Sequence, residues 1–193
     1  MPRVNRPARA EPPAPASAPG AREEWWVWAG LLLAAAVFVG LGVLGRVWHP
    51  AAGKPLEPPW FRTADSLFAA VASLGPAGRG QHRIGVLTLD TLIPLTYGWA
   101  LFRAARFYLD RLGAPAALRI LRWLPVAAML CDFAENACIV TLRNAYPGRP
   151  VAVAAALLVF SWTKWLLLAL TVVGILVGWG LLRMRPPPRR ERS

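Results

Sequence analysis

The sequence contains very little cysteine and histidine, and each shortage excludes a class of site. Its two cysteines, Cys131 and Cys138, lie seven positions apart in one apolar block. On a helix this spacing is about 10 Å, which is beyond the reach of a disulfide. No C-x-x-C pair is present, so a thiol-redox enzyme is not expected. His49 and His82 both fall outside the apolar blocks, which argues against a histidine-bound metal within them.

Charged residues are also scarce, at 17% of the chain, whereas hydrophobic residues make up 56% and are gathered into long blocks. Soluble domains alternate apolar and polar residues instead. The net charge of +12 comes mostly from arginines that flank the apolar blocks. There, basic residues set orientation and meet anionic lipid headgroups. The composition therefore predicts a membrane protein with the lipid bilayer as its partner and no nucleic-acid partner.

Four apolar blocks are long enough to cross a hydrocarbon core of about 30 Å. They predict an all-α fold, an integral membrane four-helix bundle in one domain over residues 25–183. The predicted spans are residues 25–47, 84–104, 119–142 and 151–182. The first block exceeds the apolar length of a signal peptide and lacks a clear cleavage site, so it is predicted to remain. Residues 1–24 and 184–193 are rich in proline and arginine and predict disordered tails.

Basic residues are unequally distributed between the two sides of this bundle. With four spans, residues 1–24, 103–122 and 183–193 share one side and carry 14 lysines or arginines. The 46–83 and 143–150 loops on the other side carry seven. The positive-inside rule therefore places both termini on the cytoplasmic side of the membrane.

The first extracytoplasmic loop contains a short amphipathic pattern over residues 63–74. Its apolar residues lie on one helical face: Leu67, Phe68, Val71 and Leu74. Thr63 is a suitable N-cap, and Gly75-Pro76 is a suitable end. The pattern predicts a short helix that lies on the outer surface or covers the bundle as a lid.

Three acids and one lysine lie inside the apolar blocks and are the candidate catalytic residues: Asp90, Asp132, Glu135 and Lys164. A charge at membrane depth costs about 2.5–3.5 kcal/mol on insertion scales, so such groups normally face the protein interior and find partners. The topology places all four in the outer half of the bundle, and we expect one buried cluster. Its excess of two negative charges requires a proton, a bound cation or a nearby arginine.

Four further residues are candidate substrate-binding groups around this cluster. Tyr97, Asn136 and Ser161 share helix faces with the buried acids or with Lys164, and Arg79 lies near the outer mouth. Ser161 and Lys164 also match the S-x-x-K pattern of a serine nucleophile with a lysine base. No residue pattern identifies a cofactor or a set of metal ligands.

Four short motifs within residues 75–165 occur in a fixed order. They are G-P-A-G-R from position 75, D-x-x-x-P-x-x-Y-G from 90, D-x-x-E-N from 132 and T-K-W from 163. Together they resemble a group of small uncharacterised bacterial four-span membrane proteins. The resemblance implies the same fold and supports a site at these residues, but it implies no particular reaction.

Several function classes fit these features. One is a membrane enzyme or binding protein for a lipid-like molecule, with the buried acids as acid/base or cation-binding groups. Others are a proton- or ion-coupled carrier and a non-catalytic assembly factor, and the sequence does not decide whether the chain is an enzyme. A network that only ties the helices together is the structural alternative. The pair Gly174-x-x-x-Gly178 could pack within the bundle or support a homo-oligomer.

Overall fold

The computed structural model of the chain describes residues 21–48 and 63–184. Its helices are α1 Ala21–Trp48, α2 Ala64–Ser73, α3 Gly75–Leu112, α4 Ala116–Arg119, α5 Leu124–Asn144 and α6 Val151–Met184, with a 3₁₀ turn at Ile120–Trp123. No strand occurs in these ranges, so the all-α prediction is confirmed for them. The predicted disordered tails lie outside the described residues, except that 21–24 form the first turn of α1 and Met184 ends α6.

Three helical segments of the described chain are long and apolar enough to cross a membrane. They are Glu23–Leu44, Ala116–Asn144 and Val151–Met184, with mean hydropathies of 2.4, 1.4 and 2.3. Their outward faces expose large apolar side chains, among them Leu32, Leu130 and Leu166. A helix surface that is apolar on its exposed side is stable against lipid rather than water. These helices fit the predicted membrane protein.

Helix α3 is longer than the span predicted at 84–104. It begins at Gly75, directly after the turn residue Leu74, and continues for 38 residues to Leu112. Gly75 has a φ of 62°, a left-handed conformation that suits glycine and turns the chain sharply. Pro76 then occupies the first helical turn, where its missing N–H is not needed. Gly75-Pro76 therefore ends α2 and also begins α3, so the helix starts before the first residue of the predicted span.

The short helix α2 packs over the ends of the long helices. Thr63 is its N-cap, and the Thr63 hydroxyl accepts a hydrogen bond from the backbone of Ser66. Leu67 and Val71 are almost fully buried, in a cluster with residues of α5 and α6. Of the two predicted placements, α2 therefore has the contacts of a lid on the long helices.

Two apolar clusters form the core of the helical packing. The lid-side cluster joins α2, α5 and α6 through Leu67, Val71, Ile139, Leu142, Ala154 and Leu157. The tail-side cluster joins α3 and α6 through Ala104, Ala105, Tyr108 and Ile175. Between these clusters, the buried seam of α6 carries Ser161 and Lys164. A polar layer is thus enclosed between two apolar layers.

Glycine 178 allows α6 to approach α3 closely within one chain. A Cβ atom at Gly178 would lie 3.0 Å from the Cβ of Tyr108, whereas one at Gly174 would meet nothing within 4 Å. At least Gly178 of the G-x-x-x-G pair is therefore used for packing inside the protein. The predicted homo-oligomer is not tested by this contact.

The first turn of α1 lies beside the last turns of α3 and α6. Glu23 forms an ion pair with Arg111 of α3, and Glu24 lies 3.1 Å from the guanidinium of Arg183 on α6. The rings of Trp28 and Trp179 meet edge to face at 6.4 Å between centroids. The start of α1 and the ends of α3 and α6 are therefore at the same end of the molecule.

This arrangement predicts a specific cross-link. Both native cysteines are free, as predicted, so Cys131→Ala and Cys138→Ala provide a background without thiols. In it, Glu24→Cys combined with Arg183→Cys should react with a short bis-maleimide, and peptide mass spectrometry should recover the linked pair. Glu24→Cys combined with Val151→Cys should not react, because Val151 starts α6 about 48 Å away along the helix. Equal yields from both pairs would contradict the packing.

Candidate functional site

A buried ionic cluster lies where α5 and α6 meet. The Lys164 Nζ atom is 2.5 Å from Oε2 of Glu135 and 3.1 Å from Oδ1 of Asp132. Only 4% of Lys164, 1% of Glu135 and 8% of Asp132 is exposed. The structure therefore brings three of the four predicted catalytic residues together in one buried group.

Helix α5 presents both acids to α6 because its buried positions recur every three or four residues. This buried stripe includes Pro125, Ala128, Asp132, Glu135, Ile139 and Leu142. The acids thus occupy the same helix face as the apolar residues that pack the core. Lys164 occupies the matching seam of α6, in line with Leu157 and Thr171. The ordinary packing periodicity of two helices is enough to align the charges.

Helix α3 contributes Tyr97 to the cluster. The Tyr97 hydroxyl donates a hydrogen bond of 2.8 Å to Oδ2 of Asp132, the carboxylate oxygen that does not face Lys164. Both oxygens of Asp132 therefore have a partner, from α3 on one side and from α6 on the other. The cluster holds three helices together and forms a continuous chain of groups that can hold a proton.

Asp90 is connected to this group through its backbone. Pro94 lies inside α3 and has no N–H, so the carbonyl of Asp90, four residues earlier, lacks its helical donor. The side-chain amide of Asn136 on α5 donates to this carbonyl over 3.4 Å. In a membrane such a freed carbonyl needs a partner from a neighbouring helix. The D-x-x-x-P motif and Asn136 therefore have one physical explanation.

The side chain of Asp90 is half-buried and acts electrostatically on Arg143 of α5. Arg143 was predicted to belong to a loop, yet only 4% of it is exposed. The sequence did contain a signal for it, because positions 132, 136, 139 and 143 fall on one helical face. The apolar block was taken to end at Leu142, and for this reason the residue was missed. Lys164 is thus not the only buried cation of the described chain.

The other predicted residues lie in different places. Ser161 is buried one turn before Lys164 on the same seam. Arg79 is at the start of α3, with its guanidinium 4.1 Å from the ring centre of Tyr146. It is about 27 Å along the helix from Tyr97, so it is not part of the ionic cluster. His49 lies outside the described residues, as do the side chains of His82 and Arg83.

Two chemical conclusions follow from the geometry. Lys164 is held by two carboxylates, which stabilise its ammonium form. A serine–lysine mechanism needs the neutral amine, so this geometry argues against the S-x-x-K interpretation. Second, Arg143 is a buried cation near Asp90 that the predicted charge count did not include. In the described ranges, no group of three His, Cys, Asp or Glu residues could hold a metal ion.

A double-mutant cycle tests the cluster. Lys164→Met removes the cation between two buried acids, and we expect a loss of about 3–5 kcal/mol in the free energy of unfolding. Adding Asp132→Asn should recover part of that loss, because one of the unbalanced charges is then removed. Urea or SDS unfolding of the purified protein in detergent measures both values.

The exposed pair Arg106 and Asp110 supplies the control for this cycle. Their atoms are 3.5 Å apart, and the side chains are 61% and 47% exposed. Arg106→Met should therefore cost at most about 1 kcal/mol. If the effects of Lys164→Met and Asp132→Asn simply add, the two residues are not coupled and the cluster has no joint role.

Comparisons with known proteins give no further guide to this site. No protein-family model, curated protein or solved structure matches the chain. The resemblance to small bacterial four-span proteins therefore rests on the four motifs alone. The site has to be interpreted from its own geometry.

Proposed function

We propose that this chain is a four-span protein of the bacterial inner membrane that binds a lipid-like molecule beside its buried ionic cluster. In this proposal α3 supplies the second span, over residues 84–104. Support comes from its exposed apolar side chains, among them Leu87, Leu92, Leu95 and Trp99. Two polar groups of this segment face inward instead, since Tyr97 contacts Asp132 and the Asp90 carbonyl contacts Asn136.

The contacts at the two ends of the helices support an even number of crossings. The start of α1 pairs with the ends of α3 and α6 at one end. At the other end, Arg149 before α6 lies 2.5 Å from Asp65 of α2, and Arg79 stacks on Tyr146. The long helices therefore alternate in direction. The larger number of basic residues at the first end favours its placement in the cytoplasm, with α2 as an extracytoplasmic lid.

Reporter fusions test this topology. Fusions after residues 55, 112, 147 and 190 should read outside, inside, outside and inside, because each long helix crosses once. If α3 did not cross, the fusions after 112, 147 and 190 would all report the opposite side. That pattern would reduce the number of spans to three.

The lipid-like ligand is inferred from a groove on the exposed surface where α3 meets α5. The groove has a volume of about 760 Å³ and is lined almost entirely by apolar groups. Its lining residues are Leu95, Thr96, Gly98, Trp99, Phe102, Trp123, Val126 and Met129. Two of them, Thr96 and Gly98, flank Tyr97, whose hydroxyl reaches Asp132 on the inner side. The exposed groove and the buried ionic cluster therefore lie on opposite sides of the same segment of α3, which carries Tyr97.

This adjacency is the observation that carries the proposal. An amphiphilic molecule could place its apolar part in the groove, and a small movement of α3 against α5 would bring its polar part to Tyr97 and Asp132. The contact of Gly98 with Met129 limits that movement, because a Cβ at Gly98 would lie 3.0 Å from Sδ of Met129. A side chain larger than glycine at position 98 would therefore require the Met129 side chain to shift.

A second candidate function is proton-coupled transport. It is favoured by one observation, that the carboxylates of Asp132 and Glu135 both contact the same buried ammonium group of Lys164. Such a site takes up a proton or a cation and releases it when the helices move. Binding of a lipid-like molecule and exchange of a proton are compatible, since both use Asp132 and Glu135.

Lipids that co-purify with the protein test the proposed ligand. The wild-type protein should retain a lipid-like molecule that mass spectrometry detects, and Asp132→Asn should retain much less. Gly98→Ala should also lower retention, because the added methyl group and the displaced Met129 side chain take up space in the groove. Gly174→Ala is the matched control, since a Cβ there meets nothing within 4 Å. Equal lipid content in all four proteins would refute the proposal.

A further inference from the structure

Arg143 has a setting that neither the ionic cluster nor the groove explains. The residue is 4% exposed, and none of its three guanidinium nitrogens has a hydrogen-bond partner within the described ranges. Burying a cation without a hydrogen-bonded anion costs several kcal/mol. A guanidinium carries five N–H donors in a planar fork. A single ligand that satisfies several of these donors must therefore carry several acceptor oxygen atoms.

Asp90 cannot meet this requirement alone. Its charge acts on Arg143, but no guanidinium nitrogen of Arg143 has a hydrogen bond within the described ranges. A carboxylate that did approach would accept two of the five N–H groups in a bidentate pair. Three donors would remain. Asp90 also faces the Asn136 level of α5, about 10 Å inward along the helix from Arg143.

A second arginine lies close to Arg143 on the outward side. Helices α3 and α5 run antiparallel, with Tyr97 beside Asp132 and Arg79 against Tyr146. Tyr146 follows Arg143 by one turn, and its backbone N–H donates to the Arg143 carbonyl. Arg79 therefore contacts a residue that follows Arg143 by about one helical turn, roughly 5 Å along the axis. No acidic side chain pairs with Arg79 in the described ranges.

We infer that Arg143, assisted by Arg79, binds an oxyanion at the outer end of the α3–α5 interface, beneath α2. The ligand chemistry is a phosphate or carboxylate group, which the guanidinium fork matches with two parallel hydrogen bonds. Arg143 is one residue from the end of the apolar segment Ala116–Asn144. At this depth the oxyanion can belong to a lipid headgroup or to a free anion that enters from outside.

This site is separate from the lipid-like ligand proposed above. It uses different residues, and it depends only on the packing of α3 against α5. Arg149 at the same end is the natural comparison, because it is exposed and already paired with Asp65. If an anion were bound only through the positive charge at this end, both arginines would contribute to its binding. If it is bound by a buried guanidinium, only Arg143 should contribute.

Thermal stability of the full chain provides the test, in two settings. In detergent, inorganic phosphate at constant ionic strength should raise the Tm of the wild-type protein relative to chloride. In nanodiscs, phosphatidylcholine that contains phosphatidylglycerol should raise the Tm relative to phosphatidylcholine alone. A response to phosphate identifies a free anion as occupant, and a response only to phosphatidylglycerol identifies a lipid headgroup. Either response supports the site if it depends on Arg143.

Three variants show whether the rise in Tm depends on Arg143. Arg143→Lys keeps the charge and removes the fork, so the anion concentration for half-maximal stabilisation should rise about tenfold, as loss of one good hydrogen-bonded contact gives. Arg143→Met should abolish the shift, and Arg149→Gln should leave it unchanged. If neither probe stabilises the wild-type protein more than Arg143→Lys, or if Arg149→Gln loses the shift equally, the inference is wrong. The lysine variant decides the matter even if Arg143→Met does not fold.

Discussion

The fold depends on one constraint, which is that a charge at membrane depth must find its partner inside the protein. Lys164 meets this constraint by contacting Glu135 at 2.5 Å and Asp132 at 3.1 Å. The two acids occupy core positions of α5, so the ionic contact and the apolar packing use the same helix face. The register of α5 against α6 is therefore specified by charge as well as by shape, because a shift of one residue would separate all three groups.

The same constraint explains how α3 is attached. Pro94 removes one backbone donor, and the freed carbonyl of Asp90 is reached by Asn136. Tyr97, one turn further on, reaches Asp132. A proline that would weaken an isolated helix thus creates a contact point between helices. Both contacts lie on one face of α3, which leaves its opposite face apolar and able to contact lipid.

Much of this arrangement could be predicted from the sequence, because periodicity and hydropathy act locally. The spacing of Asp132 and Glu135 placed them on one face, and the rarity of lysine singled out Lys164. Features that depend on distant packing could not be predicted in this way. Arg143 follows an apolar block and has the appearance of a loop residue, yet only 4% of it is exposed in the folded chain. The start of α3 at Gly75 was missed for a related reason, since Gly-Pro is both a stop and a start signal.

The two apolar clusters on either side of the ionic cluster have an electrical consequence. They separate Lys164 and its acids from bulk salt solution, so the attraction between these groups depends only weakly on salt concentration. The pairs of Glu23 with Arg111 and Glu24 with Arg183 lie at the rim, where salt weakens them. The molecule thus combines an unscreened interior network with a screened peripheral one. Changes in ionic strength would loosen the ends of its helices while the centre keeps its register.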